Sequence, residues 1–267
     1  MRTGLFLPIF GELSDPRVTA TLAAEAEAAG FDGVFVWDHV QYRAPASHVA
    51  DAWITLAAIA SATERVRIGP LVTPLPRRRP QVVARQAAGV DQLSGGRFVL
   101  GVGTGRDSAR ELSAFGEELD AAARGAMLDE ALDVIEALWS GDEVRHRGDH
   151  YLADGVTFLP APVQRPRIPL WVAGRWPNRK PLHRAARYDG YFPIDLDEPA
   201  QLGELLDELG EVREGDGGPL EVAIEGWPGD DPTPWAAAGA TWWLLRFSPF
   251  DVTAAAVRAV VADGPPH

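Results

Sequence analysis

The stretch from Val66 to Gly105 reads VRIGPLVTPLPRRRPQVVARQAAGVDQLSGGRFVLGVGTG. It opens on the apolar run VRIGPLV and closes on FVLGVG, with one helix length between them. Short, unbroken apolar runs of this kind predict strands covered on both faces, as a parallel sheet requires. Each run gives way at its C-terminal end to Gly, Pro, Thr or Arg. That is how a β/α unit presents backbone amides and polar side chains to a small ligand.

The rest of the chain repeats the unit. Eight strand candidates are Thr3–Ile9, Gly33–Trp37, Val66–Val72, Phe98–Val102, Pro169–Ala173, Gly190–Ile194, Leu220–Ile224 and Thr241–Leu245. Helical segments lie between them at Val18–Ala29, Ala52–Thr63, Val82–Leu93, Met127–Trp139, Leu182–Arg187, Leu202–Val212 and Thr253–Ala262. Asp15-Pro16 and Ser14 carry the chemistry of a helix start, and Gly30 and Gly239 that of helix ends. Eight alternations in 267 residues predict a (β/α)8 TIM barrel forming a single domain over residues 1–267. A doubly wound open sheet is the runner-up. The stretch after the fourth strand is too long for one helix. Residues 104–168 are therefore an insertion region, with a hairpin turning at Arg147–Asp149 and a lid role over the active face.

Composition narrows the function. A net charge of −13 and a pI near 4.9 argue against nucleic acid and anionic membrane as partners. The absence of cysteine removes disulfides, thiolate catalysis and cysteine-bound metal. The N-terminal run MRTGLFLPIFGE is broken by Pro8 and lacks a signal-peptide pattern, so a cytoplasmic address is expected.

Ligands of a barrel meet the C-terminal strand ends. Those ends carry Trp37-Asp38-His39, Pro70-Leu71-Val72-Thr73, Gly103-Thr104-Gly105, Ala173-Gly174-Arg175, Asp195, Glu225 and Arg246. His39 is the one histidine among them and can exchange a proton with a substrate hydroxyl or carbonyl. The glycines of GVGTG leave room for a flat ligand against the backbone. Arg175, Arg179, Lys180 and Arg184 surround a helix start suited to a phosphate. His146 and His150 have metal-like spacing without a third ligand, so no metal site is expected. The triplet Arg77–Arg79 reads by default as a solvated charge run at the barrel lip.

The segments GFDGVFVWDHV, RVRIGPLVTPLPRRRPQVVARQAAGVDQLSGGRFVLGVGTG, MLDEALDVIEALWSG and FLPAPVQRPRIPLWVAG together resemble the bacterial-luciferase-like superfamily of flavin-type oxidoreductases. Within it the chain looks most like the branch that uses the deazaflavin coenzyme F420. The resemblance implies a (β/α)8 barrel with the coenzyme ring at the strand ends, and a homodimer. It implies Asp38 and His39 as the pair that contacts the coenzyme and handles the substrate proton. It also implies a non-prolyl cis peptide behind the ring at Pro70–Leu71, with Pro70, Leu71 and Val72 as cofactor-binding residues, Gly103, Thr104 and Gly105 beside the ring, and Ala173, Gly174 and Arg175 as the phosphate loop.

One departure stands out. Sugar-phosphate dehydrogenases of that branch carry a catalytic acid directly after GVGTG, where this chain has Arg106. The rival readings are an FMN-dependent two-component monooxygenase, a barrel glycoside hydrolase using Asp107 and Glu225, and a non-catalytic cofactor-binding protein.

Overall fold

The computed structural model describes residues 1–213 and 218–266. Its strands are β1 (Arg2–Leu7), β2 (Gly33–Val36), β3 (Arg67–Pro70), β4 (Thr73–Pro74), β5 (Leu100–Gly103), β6 (Glu143–Arg147), β7 (Leu152–Thr157), β8 (Leu170–Arg175), β9 (Gly190–Ile194), β10 (Glu221–Gly226) and β11 (Trp242–Arg246). The helices are α1 (Pro16–Ala28), α2 (Ala52–Ala62), α3 (Pro80–Leu93), α4 (Ala121–Trp139), α5 (Lys180–Ala185), α6 (Pro199–Val212), α7 (Thr233–Ala237) and α8 (Ala254–Asp263).

Nine strands form one parallel sheet in the order β3-β2-β1-β11-β10-β9-β8-β5-β4. The two edges meet. Ile68 and Phe98 form a parallel bridge beside the β4–β5 pairing, which closes the ring and excludes the open doubly wound sheet. The third expected strand, Val66–Val72, is interrupted: β3 ends at Pro70, Leu71 and Val72 step out of the ladder, and β4 resumes at Thr73. The eight-stranded barrel therefore appears as nine ladder segments.

Helix starts follow from local chemistry. The Asp15 carboxylate accepts from Arg17 N with Pro16 at the first helical position, and Asp51 accepts from Trp53 N and Ile54 N. Such caps contribute about 1 kcal/mol each. Gly30 and Gly239 take positive φ after α1 and α7, as their C-terminal positions require. The sequence marks only the end of α7, at Gly239, and gives it no range, because five residues, Thr233–Ala237, are too few to show a helical period.

Two cores result. Between strands and helices lies a continuous aliphatic layer, including Leu5, Val34, Ile68, Leu100, Val172 and Leu245. Inside the barrel, Phe35, Trp171 and Trp242 pack with ring centroids 5.4 to 5.7 Å apart, beneath Phe6, Leu71 and Phe192. These large rings fit because their neighbours are small: a Cβ on Gly190 would lie 2.4 Å from the Trp171 ring. The aromatic plug fills the lower barrel and leaves the C-terminal strand ends as an open bowl.

Residues 104–168 divide into three parts. A loop carries Arg106 to Gly116, α4 packs on α3, and β6 and β7 form the expected hairpin. The hairpin does not cover the bowl. Glu130 of α4 takes the hydrogen bonds of His150 N and Tyr151 N and pairs with His146, while Arg85 of α3 stacks on Phe158 and donates to Leu159 O. None of the hairpin residues lines the cavity described next.

Candidate active site

A cavity of about 550 Å³ occupies the C-terminal end of the barrel. That is within the ordinary range for a small-molecule site. Its apolar walls are Phe6, Trp37, Leu71, Val72, Phe192 and Ile194. Asp38, His39, Gly103, Thr104, Gly105, Ala173, Gly174 and Arg175 line it as the strand-end reading expects. Pro70 does not; it sits in the β3 ladder opposite Val36. The non-prolyl cis peptide joins Leu71 to Val72, one residue beyond the expected Pro70–Leu71 position.

The glycines form a cradle. A Cβ on Gly105, at φ +74°, would lie 2.9 Å from Pro74 Cβ, and one on Gly103 would lie 3.0 Å from Val72 Cγ2. On Gly174 it would lie 2.8 Å from the Tyr191 hydroxyl and 2.6 Å from Pro181. Side chains at these three places would displace the wall or fill the bowl. The Trp37 indole Nε1, buried at the cavity wall, has no hydrogen-bond partner among the described residues. These features suit a flat aromatic group with polar edges.

Beneath His39 lies a buried charge cluster. Asp38 accepts from Thr73 Oγ1 at 2.8 Å, Arg77 Nη2 at 2.9 Å and Arg78 Nη2 at 2.7 Å. Arg77 also donates to Asp38 O at 2.7 Å and to Glu111 Oε1 at 3.2 Å. The Arg77 side chain is 3% exposed and that of Asp38 is 1%. Two acids and two cations thus balance in a nearly dry site, which burial demands. Of the expected solvated run, Arg77 and Arg78 turn inward to Asp38 and Glu111, whereas Arg79 is exposed as expected.

Glu111 is the residue that sequence reasoning missed. Its carboxylate accepts from Val40 N at 2.8 Å and faces His39 Nδ1 at 2.6 Å. Nothing local marks it: the pairing spans 72 positions, and Glu111 belongs to an irregular loop. The one available signal is the loop's origin directly after GVGTG.

On the opposite wall Glu225 pairs with Arg246 at 2.9 Å, and Arg175 pairs with Asp195. Burial pushes the Glu225 carboxyl up, against the opposing pull of Arg246. Asp107 caps the loop by accepting from Leu112 N and Ser113 N and does not line the cavity. The Asp107–Glu225 pair required by the glycoside-hydrolase reading is therefore not assembled. The expected phosphate cluster is largely spoken for: Arg179 pairs with Glu204 and Glu208, and Arg184 with Asp129. The helix beneath it, α5, has only six residues. His146 is held by Glu130, and no metal-binding cluster occurs among the described residues. His267 lies outside the described residues. No described helix is long and apolar enough to cross a membrane.

A closed β/α barrel with a glycine-lined bowl and a histidine at the second strand end defines an α/β barrel with a candidate active site at its strand ends. The family model for luciferase-like monooxygenases matches residues 1–255, and the chain belongs to that family. It is 37% identical over 182 residues to the F420-dependent glucose-6-phosphate dehydrogenase of Gordonia bronchialis, covering 67% of this chain and 52% of the relative. The chain thus spans about half the length of the curated relatives it matches. Among solved structures, an F420-dependent secondary alcohol dehydrogenase in complex with an F420-acetone adduct superposes with a TM-score of 0.81 at 22% identity, covering 97% of this chain and 96% of that one. A monooxygenase from Streptomyces bottropensis superposes at 0.80 and 19% identity, covering 98% and 97%. Both carry the same barrel.

Proposed function

We propose that the chain is an F420-dependent oxidoreductase acting on a small alcohol or carbonyl compound. The observation that carries this reading is that His39 shares one bowl with apolar Leu71 and Val72 and with the glycines Gly103, Gly105 and Gly174. The names of the relative and of the alcohol dehydrogenase point the same way. Bound there, the deazaflavin would supply two-electron hydride exchange. Leu71, Val72, Gly103, Thr104 and Gly105 would hold its ring, and Ala173, Gly174 and Arg175 its phosphate.

The protein's own part is proton handling and dryness. His39 takes a hydroxyl proton from an alcohol being oxidised, or returns one to a carbonyl being reduced. Asp38 anchors the strand end through Arg77, Arg78 and Thr73, so the neighbouring His39 is held by a rigid base. Phe6, Trp37 and Phe192 keep water from the reacting centre. Within the 104–168 region, the loop Arg106–Gly116 serves as the cover, since it contributes Arg106, Ser108 and Glu111 to the bowl.

The monooxygenase name of the family favours one second reading, an FMN-dependent two-component monooxygenase. Bleaching of F420 absorbance by secondary alcohols, lost in His39→Gln, supports the first reading. Flavin-dependent oxygen consumption without any F420 turnover would replace it with the second. We also infer a homodimer, supported by exposed Ile54 and Val82 on the adjacent helices α2 and α3. Light scattering would then give twice the chain mass of 28.8 kDa, and a single chain mass would contradict it.

A further inference from the structure

The acid absent at position 106 has a counterpart five residues on, but at a different atom. Glu111 stands on the Nδ1 side of His39 at the edge of the bowl, and its surroundings determine how it behaves. Oε1 already receives two donors, Val40 N at 2.8 Å and Arg77 Nη1 at 3.2 Å. Oε2 faces His39 Nδ1 at 2.6 Å. A carboxylate offers only acceptors, so the proton in this short contact belongs to the imidazole. Nε2 makes no hydrogen bond among the described residues, and His39 is part of the cavity wall.

We propose that Glu111 is a positioning residue that fixes His39 as the Nδ1–H tautomer, leaving the Nε2 lone pair directed to the substrate oxygen. This rests on the oxidoreductase reading only for its catalytic consequence. The tautomer itself follows from the hydrogen-bond inventory. The charged and titratable groups facing the pair are Arg77 beneath it, Asp38 and Arg78 behind that, and Tyr42, whose ring lies 5.0 Å from His39. Arg77 links the two acids, so the base that orients His39 and the base that anchors its strand share one cation.

The loop that delivers Glu111 is tied down independently. Gln41 Nε2 donates to Ala109 O at 2.7 Å, and Asp107 caps Leu112 and Ser113. Removing the charge of Glu111 therefore need not release the loop. This makes Glu111→Gln an informative substitution. The glutamine oxygen must serve Val40 N and Arg77, because both are donors, so its NH₂ group is turned toward Nδ1. That arrangement demands a bare Nδ1 and moves the proton to Nε2. The isosteric change inverts the tautomer while preserving shape, and a general base in the wrong tautomer loses most of its effect.

The test is long-range proton–nitrogen NMR on protein labelled with ¹⁵N-histidine, at a pH of about 8.5 where imidazoles are neutral. His39→Gln assigns the signal by difference. The expected result is an Nδ1–H pattern for His39 in the native protein and an Nε2–H pattern in Glu111→Gln, with unchanged circular dichroism. Turnover of Glu111→Gln should fall roughly 10²-fold or more in kcat, with KM and F420 affinity held within a few-fold. An Nε2–H pattern in the native protein, or an Nδ1–H pattern retained in Glu111→Gln, would overturn the assignment. So would a kcat of the variant within two-fold of native. Should Glu111→Gln lose its native circular dichroism, Glu111→Asp and Gln41→Ala supply the comparison. In Glu111→Asp the shorter carboxylate still demands Nδ1–H, and an Nε2–H pattern there counts against the proposal. In Gln41→Ala the loop loosens without touching the pair, and a lost Nδ1–H pattern there also counts against it. Failure to bind F420 with the tautomer inversion intact removes the cofactor reading and supports the tautomer assignment.

Discussion

Arg77 Nη2 lies 2.9 Å from Asp38 Oδ1 while its Nη1 lies 3.2 Å from Glu111 Oε1, so one buried guanidinium joins the second strand end to the loop after β5. The planar fork does what an ammonium cannot, which is to serve two carboxylates and a carbonyl at fixed angles. Removing it leaves two acids facing one remaining cation in a dry site. Arg77→Met should lower stability by about 3–5 kcal/mol, the usual cost of orphaning a buried charge. Denaturant unfolding measures this, and a loss below about 1 kcal/mol would mean the cluster is wetter than its burial implies.

Substituting His39 separates binding from chemistry. His39→Gln keeps a polar side chain of similar size but cannot carry a proton through a catalytic cycle. We expect kcat to fall roughly 10²- to 10⁴-fold, the usual contribution of a general acid–base group. Cofactor affinity, read by fluorescence titration, should change by no more than a few-fold. A comparable collapse in affinity would make His39 a binding residue instead.

Two glycines test the cradle. Gly105 and Gly116 have nearly the same left-handed φ, +74° and +72°. A Cβ on Gly105 meets Pro74 at 2.9 Å, whereas one on Gly116 meets nothing within 4 Å. Both alanine variants should lose about 1 kcal/mol of stability from backbone strain. Only Gly105→Ala should weaken cofactor binding, by about ten-fold or more, since only it narrows the bowl. Equal affinities for the two variants would place the ring elsewhere.

Glu225 predicts a pH signature. Its carboxyl is raised by burial, so the folded state favours the neutral form and the contribution to stability is present at low pH. It fades as pH rises through the raised value. Glu225→Gln mimics the neutral form permanently. The variant should therefore gain thermal stability relative to native at pH 8 and lose that advantage near pH 4. A difference that is constant across this range would show that Arg246 fully compensates the burial.

The charge inventory bears on the substrate. Arg77 is committed to Asp38 and Glu111, and Arg175 to Asp195. Among the described residues lining the bowl, Arg106 is the one arginine without an ion pair, and it stands exposed. A substrate phosphate thus has little to bind. Glucose 6-phosphate should be used no better than glucose, within about three-fold in kcat/KM. A preference above 100-fold, roughly 2.7 kcal/mol of transition-state binding, would contradict this.

The barrel was legible because it is written locally. Apolar runs such as Gly190–Ile194 and helix signals such as Asp15-Pro16 act within a few residues, and the strand-end rule then located His39, Gly103 and Gly174. What escaped was non-local. Arg77 and Arg78 read as surface charges because nothing adjacent reveals that Asp38 is buried beside them. Glu111 escaped for the same reason, since its partner is 72 residues away. The hairpin was found, but not its seat on α3 and α4, which depends on Glu130 and Arg85. The break in the third strand was hidden because Leu71 and Val72 are as apolar as the strand they interrupt.

The most direct test of the account is titration of the purified protein with F420 and with FMN, followed by fluorescence or calorimetry. Saturable, micromolar-or-better F420 binding at one site per chain is expected, weakened by Gly105→Ala, with FMN binding at least ten-fold weaker. Tight FMN binding with no measurable affinity for F420 would contradict it.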